Sequence, residues 1–217
     1  MGADQPKQYL PLAGRAVLLH TLDRLLASPR VAGVVLALRA DDRWWPTLGY
    51  APEKTLHVVT GGGTRADSVL TALDHLSQHA AAGTPVLVHD AVRPLLHPVD
   101  IARLCDAPLD ADGCLLATPL TDTVKRADAA DRIVETVPRE GLWAVQTPQR
   151  FRLDALRHAL RDALATGIGP TDEAQAMEHA GYRPRLVAGR RDNLKITVPQ
   201  DLTFAERLLM AQAGEGA

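Results

Sequence analysis

Cysteine is nearly absent from this sequence: 217 residues contain only Cys105 and Cys114. The pair forms neither a CxxC motif nor part of a histidine-containing ligand cluster, which excludes a disulfide scaffold or a zinc module and points to two buried thiols in a reducing compartment, the cytoplasm. An excess of positive charge is missing too. Lys and Arg total 24 against 26 Asp and Glu, a formal net charge of -2, so no global field recruits nucleic acid or an anionic membrane, and any anion site has to be local. No stretch approaches the roughly 18 apolar residues of a membrane span, and the N-terminus lacks the charged and apolar regions of a signal peptide. Internal repeats and low-complexity linkers are absent. A GxGxxG fingerprint with an acidic residue about 20 positions on, which a dinucleotide-dependent oxidoreductase would carry, is not found either.

What is present is enough apolar side chain, 46% of residues, for one sizeable core, and the whole of residues 1–217 reads as a single domain. Short apolar runs alternate with helical stripes. "VAGVVLALR" (31–39) and "TPVLVHD" (84–90) read as continuous strands buried on both faces. "AVLLHTLDRLL" (16–26) reads as a helix, and a second helix with Ala66, Val69, Leu70, Leu73 and Leu76 on one stripe opens after "GGGTR". Strands alternating with helices predict an α/β fold on a mostly parallel sheet. Between about 113 and 150 the texture changes to short extended runs separated by polar turns, so residues of about 119–146 are expected to form a protruding β-hairpin arm. Helices are then expected at "LDALRHALRDALA" and "TDEAQAMEHAG", strands at "RPRLVAG" and "NLKIT", and a last helix from about Pro199.

Ligands of open parallel sheets bind beyond the carboxyl ends of the strands, so polar residues there are the candidate site. "GGGTRADS" follows the strand "LHVVT", and its glycines let backbone amides approach a base or phosphate, with Arg65 and Ser68 expected to face the same opening. A tight turn with a capping hydroxyl explains the same residues. In "VHDAVRP", Asp90 could face a ribose hydroxyl or metal and Arg93 could fork onto phosphate, unless the two simply pair with each other. Lys195 interrupts the apolar run "NLKIT", and a buried ammonium without a partner is costly, so it meets an anion or reaches solvent. Lys7 lies in "MGADQPKQYL", where nothing upstream in the sequence holds it in place.

Taken together, "PKQYL", "ADSV", "VHDAVRP", "DTVKR", "GLWAVQTPQ", "TDEA" and "DNLKIT", in that order, resemble the 2-C-methyl-D-erythritol 4-phosphate cytidylyltransferase family over the whole chain. The resemblance implies a Rossmann-like nucleotidyltransferase fold, a homodimer formed through the β-arm, and Mg²⁺-dependent transfer of CMP from CTP to a sugar-alcohol phosphate in isoprenoid biosynthesis. Carried over by position, it implies that Lys7 stabilises charge on the triphosphate, that Lys195 and Arg139 orient the attacking phosphate, and that Arg139 and Thr123 reach across the dimer interface. It further implies Thr171 near the acceptor phosphate, Gly62, Gly63 and Ser68 near cytosine, and Asp90, Ala91 and Arg93 lining the nucleotide and acceptor. Mg²⁺ is expected to be held mainly by the CTP phosphates, with no dedicated protein ligands. A cytidylyltransferase for another polyol phosphate, such as ribitol 5-phosphate, or a noncatalytic nucleotide-binding remnant would share most of these motifs.

The sequence departs from the family pattern at Val92 and at Gly63-Thr64, both expected to be tolerated. It also lacks a strand and Gly-rich phosphate loop that family members carry ahead of "PKQY". The resemblance therefore implies a gap in the middle of the sheet, between "VVLALR" and "PVLVH", an untethered or displaced stretch before Tyr9, and impaired activity of the chain as given.

Overall fold

A computed structural model describes residues 5–214 of the chain. Strands β1 (Pro11–Leu12) and β2 (Arg15–Ala16) make a minimal hairpin whose two loop residues, Ala13 and Gly14, both take positive φ, as the twist of a two-residue connection requires. Helix α1 (Val17–Leu26) buries Val17, Leu18, Leu22, Leu25 and Leu26, the stripe that the sequence periodicity predicts. It is followed by β3 (Gly33–Leu38), β4 (Thr55–Thr60), α2 (Arg65–Leu76) and β5 (Pro85–Val88). Helix α3 (Pro98–Asp106) was not foreseen, although its start is well signalled: Pro98 occupies the first turn and the His97 ring accepts a hydrogen bond from the Val99 amide. Strands β6 (Cys114–Pro119), β7 (Val124–Ala127), β8 (Ile133–Val137) and β9 (Trp143–Arg152) occupy the region of changed texture. Helices α4 (Leu153–Ala165) and α5 (Glu173–His179), strand β10 (Arg185–Ala188) and helix α6 (Pro199–Gly214) complete the order.

The α/β expectation holds, but the sheet is mixed and divided. Strands β10, β6, β9 and β5 form one four-stranded sheet in that order, and β3 and β4 form a separate parallel pair. β10 and β6 are parallel, whereas β9 runs antiparallel to both of its neighbours, because it returns from the β7–β8 hairpin. No ladder joins β3 to β5, so the expected break between "VVLALR" and "PVLVH" is present among the described residues. The two sheets still share a core: Val34 of β3 and Leu87 of β5 pack against one cluster containing Leu25, Leu96, Ile101, Leu104 and Leu116. Burial on both faces is found in β6, where Cys114, Leu115, Leu116 and Ala117 are all enclosed; in β3 only the alternate residues Leu36 and Leu38 are fully buried. Each divided strand thus presents mainly one face to the core.

Two further expectations fail. "NLKIT" is not a strand. It crosses the ends of the sheet as an irregular segment, with the Ile196 amide donating to the Val92 carbonyl and buried Asn193 donating to the Thr147 carbonyl; side-chain and loop contacts replace a ladder. The stretch before Tyr9 is not untethered where it is described. Lys7–Tyr9 form a single 3₁₀ turn, because Tyr9 is buried, stacks on Trp44 and donates its hydroxyl hydrogen bond to Asp42.

Candidate functional site

The loop after β4 is built for close backbone approach. A Cβ added to Gly62 would lie 2.2 Å from the Asp67 Cβ, so only glycine lets the loop fold down onto the start of α2. Thr64 and Asp67 cap that helix reciprocally: the Thr64 Oγ1 accepts from the Asp67 amide and the Asp67 carboxylate accepts from the Thr64 amide. Ser68 belongs to the same turn. Its hydroxyl accepts from the Gly62 amide at 3.1 Å and donates to the Thr64 carbonyl at 2.9 Å, so it stiffens the loop instead of pointing freely into the opening. Gly62 and Gly63 remain exposed.

Three cations converge on one carboxylate at the end of β5. Asp90 receives Lys195 Nζ at 2.9 Å, Arg65 Nε at 3.3 Å and Arg93 Nε at 3.5 Å, and the Asp90 amide is tied to Thr147 Oγ1 at 3.0 Å. Burial works against the charged carboxylate, but the Lys195 hydrogen bond and the two guanidinium groups outweigh it and hold Asp90 below the usual carboxylate range. Arg93 is in turn fixed by donating to the Asn193 carbonyl at 2.7 Å. The Ala91 carbonyl accepts from Thr21, which anchors the backbone beside Asp90 to α1.

The sequence reading missed Glu173. Its carboxylate, 1% exposed, takes both terminal nitrogens of Arg65, at 2.6 and 2.9 Å, a bidentate geometry that only arginine supplies. Desolvation pushes the Glu173 carboxyl above its ordinary range despite the pull of Arg65. Within this cluster three cations, Arg65, Arg93 and Lys195, face two carboxylates, Asp90 and Glu173, and the balance is one positive charge. His89 was also passed over: burial lowers its imidazole to about 4, and it contacts the Arg93 carbonyl and the Thr147 hydroxyl. In neither case does the residue type betray the role; Arg65 lies 108 residues from Glu173, and Thr147 lies 58 residues from His89.

Lys7 reaches the rim of the cluster, where Nζ donates to the Thr197 carbonyl at 2.6 Å, two residues beyond Lys195. Thr171 is exposed just ahead of α5, with its amide bonded to Gln175. Arg139 and Thr123 are not brought to the cluster; both are exposed on the β7–β8 arm, and Arg139 donates to the Thr121 carbonyl. Among the described residues, no group of three His, Cys, Asp or Glu side chains is arranged to hold a metal ion.

Residues 1–211 match the family model described as 2-C-methyl-D-erythritol 4-phosphate cytidylyltransferase. A protein of that name from Aeromonas hydrophila is 50% identical over 212 residues, spanning 98% of this chain and 85% of that protein. One from Pseudomonas aeruginosa is 51% identical over 209 residues, 95% of this chain and 89% of that protein. Among solved structures, a 4-diphosphocytidyl-2C-methyl-D-erythritol synthase superposes with a TM-score of 0.85 at 38% identity, covering 94% of this chain and 95% of that one. The Francisella tularensis 2-C-methyl-D-erythritol 4-phosphate cytidylyltransferase superposes with a TM-score of 0.84 at 32% identity, covering 94% of each chain.

Proposed function

The chain belongs to the 2-C-methyl-D-erythritol 4-phosphate cytidylyltransferase family, and from that membership we infer that it transfers CMP from CTP to 2-C-methyl-D-erythritol 4-phosphate in isoprenoid precursor synthesis. An oxygen of the acceptor phosphate attacks the α-phosphorus of CTP, the bond to the β-phosphate breaks, and pyrophosphate leaves with the electron pair. The observation that carries this reading is the convergence of Arg65, Arg93 and Lys195 on Asp90 at the end of β5. The nucleophile is already an anion and needs no general base. What opposes reaction is repulsion between phosphates, and fixed cations in a partly dry site lower that barrier most effectively.

Lys195, 43% exposed and held among the described residues only by Asp90, is the cation best able to turn from its carboxylate partner to an incoming phosphate. Lys7, beside Thr197, would meet the triphosphate on the same rim. The amides of Gly62 and Gly63 would border cytosine on a loop that Ser68 keeps rigid. Mg²⁺ would be held mainly by the CTP phosphates, since Asp90 is already shared by three protein cations; once bound, it would offset charge on the pyrophosphate. The arm exposes Ile133 (67%) and Val134 (63%), and pairing with a second copy would cover them and carry Arg139 and Thr123 to the partner's acceptor side. No described helix is long and apolar enough to cross a membrane, and the two cysteines are free, in keeping with a cytoplasmic enzyme.

Pyrophosphate release measured by a coupled assay tests the reading. Release is expected only when CTP, methylerythritol phosphate and Mg²⁺ are all present. Equal turnover of ATP, or faster reaction with ribitol 5-phosphate as acceptor, would overturn it.

A further inference from the structure

We propose that Glu173 is a positioning residue, which sets the plane of the Arg65 guanidinium and thereby locks the nucleotide loop after β4 and the acceptor loop before α5 to the end of β5. The proposal rests on the cytidylyl-transfer reading for the ligands that it names. Arg65 has five N–H donors. Two go to the Glu173 oxygens and a third to Asp90, which leaves two, on a side chain 36% exposed, to meet an anion of the nucleotide. Their direction is dictated by Glu173, because a bidentate pair fixes both the plane and the in-plane angle of the fork.

Glu173 is itself held from behind. Buried Gln149 of β9 donates to Asp172 at 2.9 Å and accepts from the Ala174 amide at 2.9 Å, while Asp172 caps α5 by accepting from the Gln175 amide. The residues on either side of Glu173 are thus pinned to the four-stranded sheet, and Thr171 lies two positions upstream on the same anchored segment. A buried ion pair is by itself weak support for stability, since a well-packed apolar pair often serves as well. A carboxylate enclosed to 1% exposure and aimed at a half-open arginine makes better sense as an aiming device than as a fastening.

The test compares Glu173→Gln with Glu173→Asp. For Glu173→Gln, the KM for CTP and the CTP dissociation constant measured by calorimetry should both rise about tenfold or more, with kcat at saturation changed less than about threefold, the mark of lost ground-state and transition-state binding alike. Glu173→Asp keeps the charge but not the reach, and should weaken CTP by about threefold. The Arg65 Nε–H resonance gives a readout without any ligand or turnover: sharp and slowly exchanging in the wild type, broadened or lost in Glu173→Gln. Failure of the wild type to bind CTP would sink the nucleotide reading and leave the resonance to decide the positioning role. Unchanged CTP affinity in Glu173→Asp, or an Arg65 resonance untouched by Glu173→Gln, would overturn the proposal, even if Glu173→Gln were too unstable for kinetics.

Discussion

His89 provides a quantitative check on the interior of the site through the pH dependence of stability. The Arg93 carbonyl at 3.2 Å from Nε2 can only accept, so Nε2 carries the ring proton; Nδ1, 3.0 Å from Thr147 Oγ1, then accepts from that hydroxyl, which itself accepts from the Asp90 amide. The ring is satisfied as a neutral tautomer. Burial lowers its pKa to about 4, against roughly 6.5 in an unfolded chain. A histidine with a depressed folded pKa leaves stability intact above about pH 6.5; below that the unfolded state binds the additional proton, and stability falls with a slope that approaches 1.4 kcal/mol per pH unit until the folded ring protonates near pH 4. Integrating from pH 7 to pH 4.5 gives a loss of about 2.5 kcal/mol. The assay is urea unfolding of the wild type and of His89→Gln at half-unit pH steps. Glu173 and Asp100, whose carboxyls burial raises, act in the opposite sense but are common to both proteins, so the difference between the two curves isolates His89. That difference should shrink by about 2.5 kcal/mol toward pH 4.5. A difference that stays flat within about 0.5 kcal/mol would mean that His89 titrates as a solvated ring and that the Arg93–His89–Thr147 arrangement is not maintained.

Three other expectations concern the reaction and the assembly. Lys195→Ala should lower kcat by about 100-fold or more in the pyrophosphate assay with little change in Tm, because Arg65 and Arg93 still pair with the Asp90 carboxylate; a normal kcat would leave Lys195 as no more than a partner of Asp90. Arg139→Ala should raise the KM for the acceptor phosphate by about tenfold and the KM for CTP by less than about twofold, and the reverse pattern would refute its place on the acceptor side. Ile133→Asp, on the exposed arm, should convert the proposed dimer to a monomer in light scattering, since burying an unpaired carboxylate at an apolar contact costs several kcal/mol; a mass indifferent to the substitution would refute the proposed interface.

Much of the architecture was legible locally. The stripe of α1, the Gly-rich turn into α2, the apolar run of β6 and the short strands of the arm are each specified by neighbours in the chain, through side-chain period and turn chemistry. "NLKIT" misled the reading because its apolar residues are satisfied differently: Ile196 enters a core with Leu12, Val17, Leu95 and Ala205, and Asn193 binds the loop at Thr147. An apolar run states that a segment is buried, not that a ladder buries it. The same limit hid the ordered turn at Lys7–Tyr9, whose anchor is the distant Trp44 and Asp42.

By itself, therefore, the sequence determined the α/β class, the place of most of the helices and strands, and the family, since all of these rest on local periodicity and on motifs short enough to be read in line. The tertiary structure alone decided how the charges are shared. Asp90 and Arg93, three residues apart, could have been an isolated ion pair; folding adds Lys195 from beyond β10 and Arg65 from α2 to the same carboxylate, and brings Glu173, 108 residues from Arg65, to complete that guanidinium's fork. It also decided that Ser68 stiffens its loop and that Arg139 stays out on the arm. Electrostatic coupling depends on distance through space and on exclusion of water, and neither is a property of position along the chain.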